Sequence, residues 1–266
     1  MESPSKSQTP RRPLRPVNNA IYSTLGSRWY DAEDDPIALL RAESQLRNPW
    51  VAGHVERAFG SRKCAVLDIG CGGGFLSNHL ARLGHRVTGL DAARESLAVA
   101  SAHDVTRTVR YDCGDAMALP YRTGAFDVVC AMDFLEHVDD PAQVIAEAAR
   151  VLAPSGLFFF HTFNRSWLSW LIVIKGVEWF VRNTPADMHV LRLFLKPHEV
   201  TAMCRKQGLD QLEVLGSRPR LGAAFWALLW TGRVRADFSF AFSRSTPLGF
   251  TGVARKTERP AGGRAA

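Results

Sequence analysis

Residues 64–74 read Cys64-Ala-Val-Leu-Asp-Ile-Gly-Cys-Gly-Gly-Gly74, an apolar run interrupted only by Asp68 that opens directly into a glycine cluster. A run of this length suits a strand buried on both faces of a parallel sheet. Glycines directly behind it let the backbone approach a ligand closely, with no Cβ in the way and no cost to positive φ. This pairing points to an open α/β sheet whose first strand-to-helix turn lies at a topological switch point, where ligands bind.

The rest of the chain keeps that rhythm. Arg86–Asp91, Phe126–Met132 and Gly156–His161 are further apolar runs, each next to a turn signal. Between them lie helical patterns: Phe75–Leu83 ending at Gly84, an Ala-rich stretch Glu95–His103, and Pro141–Leu152. The last starts with Pro at the first helical position behind Asp139-Asp140, acids suited to the positive end of a helix dipole. Alternation of this kind predicts a Rossmann-like, doubly wound α/β fold. A helix over Pro197–Gly208 and a strand pair, Leu212–Gly216 with Phe250–Ala254, would close the sheet. Residues 164–195 interrupt the pattern as a long, Trp-rich apolar insertion. No internal repeat or second domain is visible, so residues 19–256 form one domain.

With 266 residues, 46% of them hydrophobic and 22% charged, the chain can bury one sizeable core. Its formal charge of +7 gathers at the ends, at Lys6, Arg11, Arg12 and Arg15 in front and at Arg255, Lys256, Arg259 and Arg264 behind. These ends, residues 1–18 and 257–266, read as disordered basic tails. No basic motif interleaved with aromatics supports nucleic-acid binding. Cys64, Cys71, Cys113, Cys130 and Cys204 form no CxxC pair, which argues against a disulfide framework or zinc site and for reduced thiols in the cytoplasm. No apolar leader segment stands in the first 30 residues.

The glycine turn admits two ligand classes. A nicotinamide or flavin dinucleotide site favours G-x-G-x-x-G, but the sixth position from Gly70 is Phe75, whose bulk opposes the close helix–strand packing that motif requires. The form actually present, Asp68-Ile-Gly70-Cys-Gly72-Gly-Gly74, resembles the signature of S-adenosylmethionine-dependent methyltransferases. Asp91 ends the second strand, where a carboxylate can accept both ribose hydroxyls. The resemblance implies that Gly114-Asp115-Ala116-Met117 covers the adenine, with Asp115 taking its exocyclic amine. Met132 would lie beneath the cofactor. Asp68, Gly70, Gly72, Asp91, Asp115, Ala116 and Met132 are therefore the expected cofactor residues. An Arg expected between residues 44 and 51 for the cofactor carboxylate has two candidates nearby, Arg41 and Arg47.

Asp133-Phe-Leu-Glu136-His137-Val138 follows directly. With Ser27-Arg-Trp-Tyr-Asp31, Asn48-Pro49, Thr162-Phe-Asn-Arg165-Ser-Trp167 and Phe194-Leu-Lys-Pro197, it makes residues 24–200 resemble the ubiquinone-biosynthesis O-methyltransferases. The resemblance implies a seven-stranded, mainly parallel sheet and methylation of a ring hydroxyl on a polyprenyl phenol or quinol. A phenol with a pKa near ~10 needs a base or a metal to give phenolate at neutral pH. The resemblance assigns this to Glu136 and His137, and links Asp133, Glu136 and His137 to a divalent ion, usually magnesium. The chain carries Asp133 where the family pattern has Glu. Residues 209–254 depart most from that pattern, which leaves another lipophilic phenol or polyketide open as the substrate. His161, His189 and His198 read first as structural histidines.

Trp167–Val181 is about 15 residues long and carries Lys175 and Glu178, too short and too charged for a bilayer span. Tryptophans flanking an aliphatic centre fit an interfacial helix, and equally a lid walling a greasy pocket. A lid that dips into headgroups satisfies both. Peripheral contact with the inner face of a membrane is thus expected through residues 167–181, with Leu221–Trp230 widening the surface.

Overall fold

In the computed structural model, which describes residues 18–185 and 188–257, the expected strand–helix alternation is present. Apart from Asn18 and Thr257, the two expected tails lie outside the described residues. A short 3-10 turn (Asn19–Thr24) and α1 (Arg28–Asp31) precede the longest helix, α2 (Pro36–Phe59). The alternating region follows as β1 (Ala65–Ile69), α3 (Phe75–Arg82), β2 (Arg86–Asp91), α4 (Arg94–Ala102), β3 (Arg110–Cys113), β4 (Phe126–Met132), α5 (Pro141–Val151) and β5 (Leu152–Phe163). The insertion winds as α6 (Trp167–Ser169), a π-helical segment (Trp170–Gly176) and α7 (Val177–Phe180). Then come α8 (Pro197–Lys206), β6 (Leu209–Pro219), α9 (Ala223–Thr231), β7 (Phe240–Ser243) and β8 (Gly249–Lys256).

The strand order is β3-β2-β1-β4-β5-β8-β6-β7. β1 through β5 pair in parallel, and β8 enters antiparallel between β5 and β6. Instead of the expected seven strands, the described residues form eight, because β7 adds an antiparallel edge along β6 from Gly216↔Ser243 to Pro219↔Phe240. Four half-buried residues are too few to show a period, which is why the sequence did not reveal this strand. The chain winds outward from β1 in one direction and from β4 in the other. A crevice therefore opens between the carboxyl ends of these two neighbours, beyond Ile69 and Met132.

Alternate strand residues face opposite layers. Leu67, Val129, Phe158 and Phe160 pack with Val144, Ile145 and Ala148 of α5 and Val200 of α8. Val66, Val128, Phe159 and Val253 pack with Val51 and Val55 of α2 and Leu80 of α3. Both faces are covered, so these strands read as continuous apolar runs.

α2 escaped the sequence reading. Its start is well specified: Pro36 takes the first helical position and the Asp35 carboxylate accepts the Ile37 and Ala38 N–H groups at 3.0 and 3.3 Å. Its buried stripe, however, runs Glu43, Arg47, Val51, Val55. Two charged residues in the stripe erase the apolar period, and the reason for burying them lies in the crevice.

Candidate active site

Gly70, just past β1, sits at φ +67°, and a Cβ there would come within 2.1 Å of the Phe134 ring. Gly72, at φ +50°, would likewise press a Cβ within 2.6 Å of Trp29. Only glycine fits both conditions at once. The Gly72 N–H donates to one Asp91 carboxylate oxygen at 2.9 Å, and the Ala93 N–H donates to the other at 2.8 Å. Asp68 is buried beneath the loop and accepts the Ser77 hydroxyl at 2.7 Å; burial pushes its carboxyl up to about 7.

Asp68, Gly70, Gly72, Asp91 and Met132 all face one cavity of about 640 Å³, a size suited to small-molecule sites. The glycine cradle and the Asp91 carboxylate fit a nucleoside-bearing cofactor such as S-adenosylmethionine. Asp115 and Ala116 are placed differently. Asp115 is exposed and accepts the Met117 N–H at 2.8 Å, Ala116 is buried in the core, and neither lines the cavity. Neither Arg candidate is free for a cofactor carboxylate. Arg41 donates to the carbonyls of Trp29 and Ala32, at 3.3 and 2.5 Å, while Arg47 commits both terminal nitrogens to Asp133 and only its Nε has no hydrogen-bond partner among the described residues.

Asp133 follows β4 at φ +54°, a left-handed conformation that Asp tolerates better than most residues, and its N–H donates to the His161 carbonyl at 3.1 Å. Its two oxygens accept the two terminal nitrogens of Arg47, at 2.9 and 2.5 Å, in the two-pronged geometry particular to arginine. Burial is the largest single influence and would raise the Asp133 carboxyl, but the Arg47 charge, His161 and the Arg47 hydrogen bonds together outweigh it and hold the group below the usual carboxylate range. Burial also disfavours the Arg47 charge, and Asp133 and Glu43 more than restore it. Glu43 lies one turn earlier on α2, 4.0 Å from Arg47, and accepts the Ser217 hydroxyl of β6. His161 closes the group: Nδ1 is 2.6 Å from the Thr251 hydroxyl, and Nε2 is 3.6 Å from Asp133 and 3.9 Å from Glu43. The sequence singled out Arg47, Asp133 and His161 separately and in other roles, and the i, i+4 spacing of Glu43 and Arg47 is its one sign that any two members meet.

His137 and Glu136 part company. His137 faces the cavity, with Nε2 3.4 Å from the Tyr22 hydroxyl and Nδ1 without a hydrogen-bond partner among the described residues. Burial pushes its imidazole down to about 4, so it is neutral at physiological pH. His189 stands beside it, ring centroids 5.8 Å apart, and is pushed down to about 3, first by burial and then by His137. Glu136 is 1% exposed, does not line the cavity, and neither carboxyl oxygen finds a hydrogen-bond partner among the described residues. Burial first, then the Asp133 charge, raises it to about 8, so it carries its proton at neutral pH. His198 is exposed on α8.

The residues do not fit the magnesium ion that the resemblance implied on Asp133, Glu136 and His137. Among the described residues, one set of three metal-ligating groups brings its donor atoms within 4.8 Å of one another, and it is Glu43, Asp133 and His161. Asp133 in that set already holds a guanidinium on both oxygens.

The far end of the cavity is apolar. Leu171, Ile172 and Val177 of the insertion face Phe225 and Leu228 of α9 and Phe240 of β7 across it. The outer sides of these helices expose Trp167 (74%), Trp226 (61%) and Trp230 (92%), and Trp179, which lines the cavity, is 64% exposed. Among the described residues no helix is long and apolar enough to cross a membrane. All five cysteines are free.

The Methyltransferase domain family profile matches residues 67–160. A ubiquinone biosynthesis O-methyltransferase of Erwinia tasmaniensis is 37% identical over 200 residues, covering 74% of this chain and 81% of that protein. The protein of the same name from Aromatoleum aromaticum is 36% identical over 204 residues, covering 76% and 85%. Among solved structures, the fold is similar to a SAM-dependent methyltransferase of Thermotoga maritima, with a TM-score of 0.59 at 17% identity, covering 90% of this chain and 99% of that one. A putative methyltransferase from Bacillus halodurans gives 0.55 at 19% identity, covering 78% and 99%.

Proposed function

This chain belongs to the ubiquinone biosynthesis O-methyltransferase family and is an S-adenosylmethionine-dependent O-methyltransferase, and on that premise we propose that its acceptor is a ring hydroxyl of a lipophilic phenol or catechol of the polyprenyl quinone-precursor class. The observation that carries this reading is the continuity of one cavity from the glycine loop and Met132, past His137, to the apolar wall of the insertion and α9. A polar aromatic head fits near His137, and a hydrocarbon tail fits between the helices.

Bound S-adenosylmethionine supplies an electrophilic methyl group on a sulfonium. Gly70, Gly72 and Asp91 hold the nucleoside end, so that a ring oxygen beside His137 can approach in line. His137 is neutral and lines the cavity, and in this reading its imidazole accepts the hydroxyl proton as the oxygen–carbon bond forms. The carbon–sulfur electron pair leaves with sulfur, and the imidazolium passes its proton to water. Tyr22 stays protonated, because burial and then Glu136 push its phenol far up, and it serves as a hydrogen-bond partner to His137. Glu136, neutral and outside the cavity wall, takes no proton from the substrate in this reading.

We extend the reading to the insertion. The exposed tryptophans of residues 167–181 and of α9 seat the lid in a membrane interface, from which a prenylated acceptor enters between the helices. The test is methyl transfer from labelled S-adenosylmethionine to catechols with and without a prenyl tail. A kcat/KM that rises with tail length supports the assignment. Transfer to no catechol, by a sample that binds the cofactor, overturns it.

A further inference from the structure

We propose that Arg47 is the resident cation of this active site, standing where a divalent ion would bind, and that methyl transfer by this chain proceeds without a metal. The inference deepens the O-methyltransferase reading, and its main readout does not depend on the acceptor.

The position of a cation here is fixed by negative charge and donor atoms, and both converge on Glu43, Asp133 and His161. Arg47 takes that position with two hydrogen bonds to Asp133 and a flank 4.0 Å from Glu43. It is 2% exposed and anchored on the inner stripe of α2, so it is part of the packed structure and no loose surface arm. The His161 Nε2 edge faces the same two carboxylates, with no hydrogen-bond partner among the described residues. A divalent ion brought to Asp133 would have to expel the guanidinium from a buried pair, or stand beside it with like charges in contact.

Glu136 does not supply an alternative, because its carboxyl lies outside the cavity wall. Arg47 and Asp133 both line the cavity beside Met132 and His137. The guanidinium is a fixed charge whose compensation is Asp133 with Glu43 alongside, so it neutralises the carboxylates that a metal would need and leaves the hydroxyl proton to His137.

The test uses the full-length chain saturated with S-adenosylhomocysteine and titrated with manganese chloride by calorimetry, with magnesium chloride as a second probe. The wild-type chain shows no stoichiometric binding up to millimolar metal, and its turnover is unchanged by EDTA. Arg47→Met removes the charge at similar length and opens Glu43, Asp133 and His161 to manganese, tightening binding by about tenfold or more. One metal per wild-type chain at sub-millimolar affinity, with EDTA-sensitive turnover restored by magnesium, overturns the proposal. A folded Arg47→Met chain that gains no manganese also overturns it. If that variant does not fold, the wild-type titration decides alone. Cofactor binding in the same samples separates failure of this proposal from failure of the methyltransferase reading.

Discussion

The Asp91 carboxylate receives the Gly72 N–H at 2.9 Å, tying the end of β2 to the middle of the glycine loop. The other oxygen receives the Ala93 N–H. One side chain thus shapes the loop and presents acceptors to the cavity.

Replacing that side chain, Asp91→Ala, leaves two N–H groups without their acceptor and removes the partner proposed for the ribose. We expect S-adenosylmethionine affinity to fall by ~1.5–3 kcal/mol, measured by isothermal titration. An unchanged affinity would remove Asp91 from the cofactor site.

His137→Ala removes the proposed proton acceptor while leaving the glycine loop intact. Turnover should fall by about 10²–10⁴-fold with cofactor affinity within about twofold of wild type, the magnitude typical of a lost general base. Near-normal kcat in single-turnover assays would transfer the role elsewhere.

Glu136 gives the fold a distinctive pH dependence. Folded, it keeps its proton to about 8; unfolded, it loses it near 4.5. Between those values the folded state holds the extra proton, so stability falls as pH rises, and the loss is complete above the folded value. His137 has the opposite sense, being pushed down to about 4 from 6.5, but its contribution is spent above about pH 6.5. Asp68, raised to about 7, has the same sense as Glu136 but is common to the wild type and Glu136→Gln, so their difference over pH 6.5–8 isolates Glu136. Glu136→Gln, neutral throughout, should lose less stability across that window, by ~1.4 kcal/mol per pH unit at most, or a Tm difference of ~2–4 °C per unit. Parallel Tm curves for the two proteins by scanning calorimetry would show that Glu136 titrates normally.

The lid makes a separate prediction. Trp167→Glu with Trp226→Glu places charge on two exposed indole sites from different helices, neither of which lines the cavity. Association with anionic liposomes in flotation assays should weaken by about tenfold or more, given the apolar area each indole can bury. Methylation of a short, water-soluble catechol should be unaffected. Liposome binding equal to wild type would leave these helices as a pocket wall only.

Much of this was legible in order of residues. The apolar runs at 64–69, 86–91, 126–132 and 156–161 each became a parallel strand, because burial on both faces demands continuous hydrophobicity. α3, α4, α5 and α8 began and ended within a residue or two of their caps, Pro141 and Gly84 among them. Asp68, Gly70, Gly72, Asp91, Met132 and His137 all reached the cavity, since a strand-to-helix turn fixes where its residues point once the strand is placed. Asp115 and Ala116 did not, because a loop after an edge strand is aimed by its own turn, here the Asp115–Met117 bond.

By itself, the sequence determined the α/β class, the glycine turn at the switch point and the chemistry offered along β1, β2 and β4, all of them local consequences of period, turn residues and chain order. Only the tertiary structure decided which charges meet. Glu43, Arg47, Asp133, His161 and Ser217 come from α2, the end of β4, β5 and β6, so beyond the single helical turn between Glu43 and Arg47 no spacing along the chain links them. Each is tolerable in the interior only because the others are there, and that mutual dependence comes into being when the sheet closes and α2 packs against it.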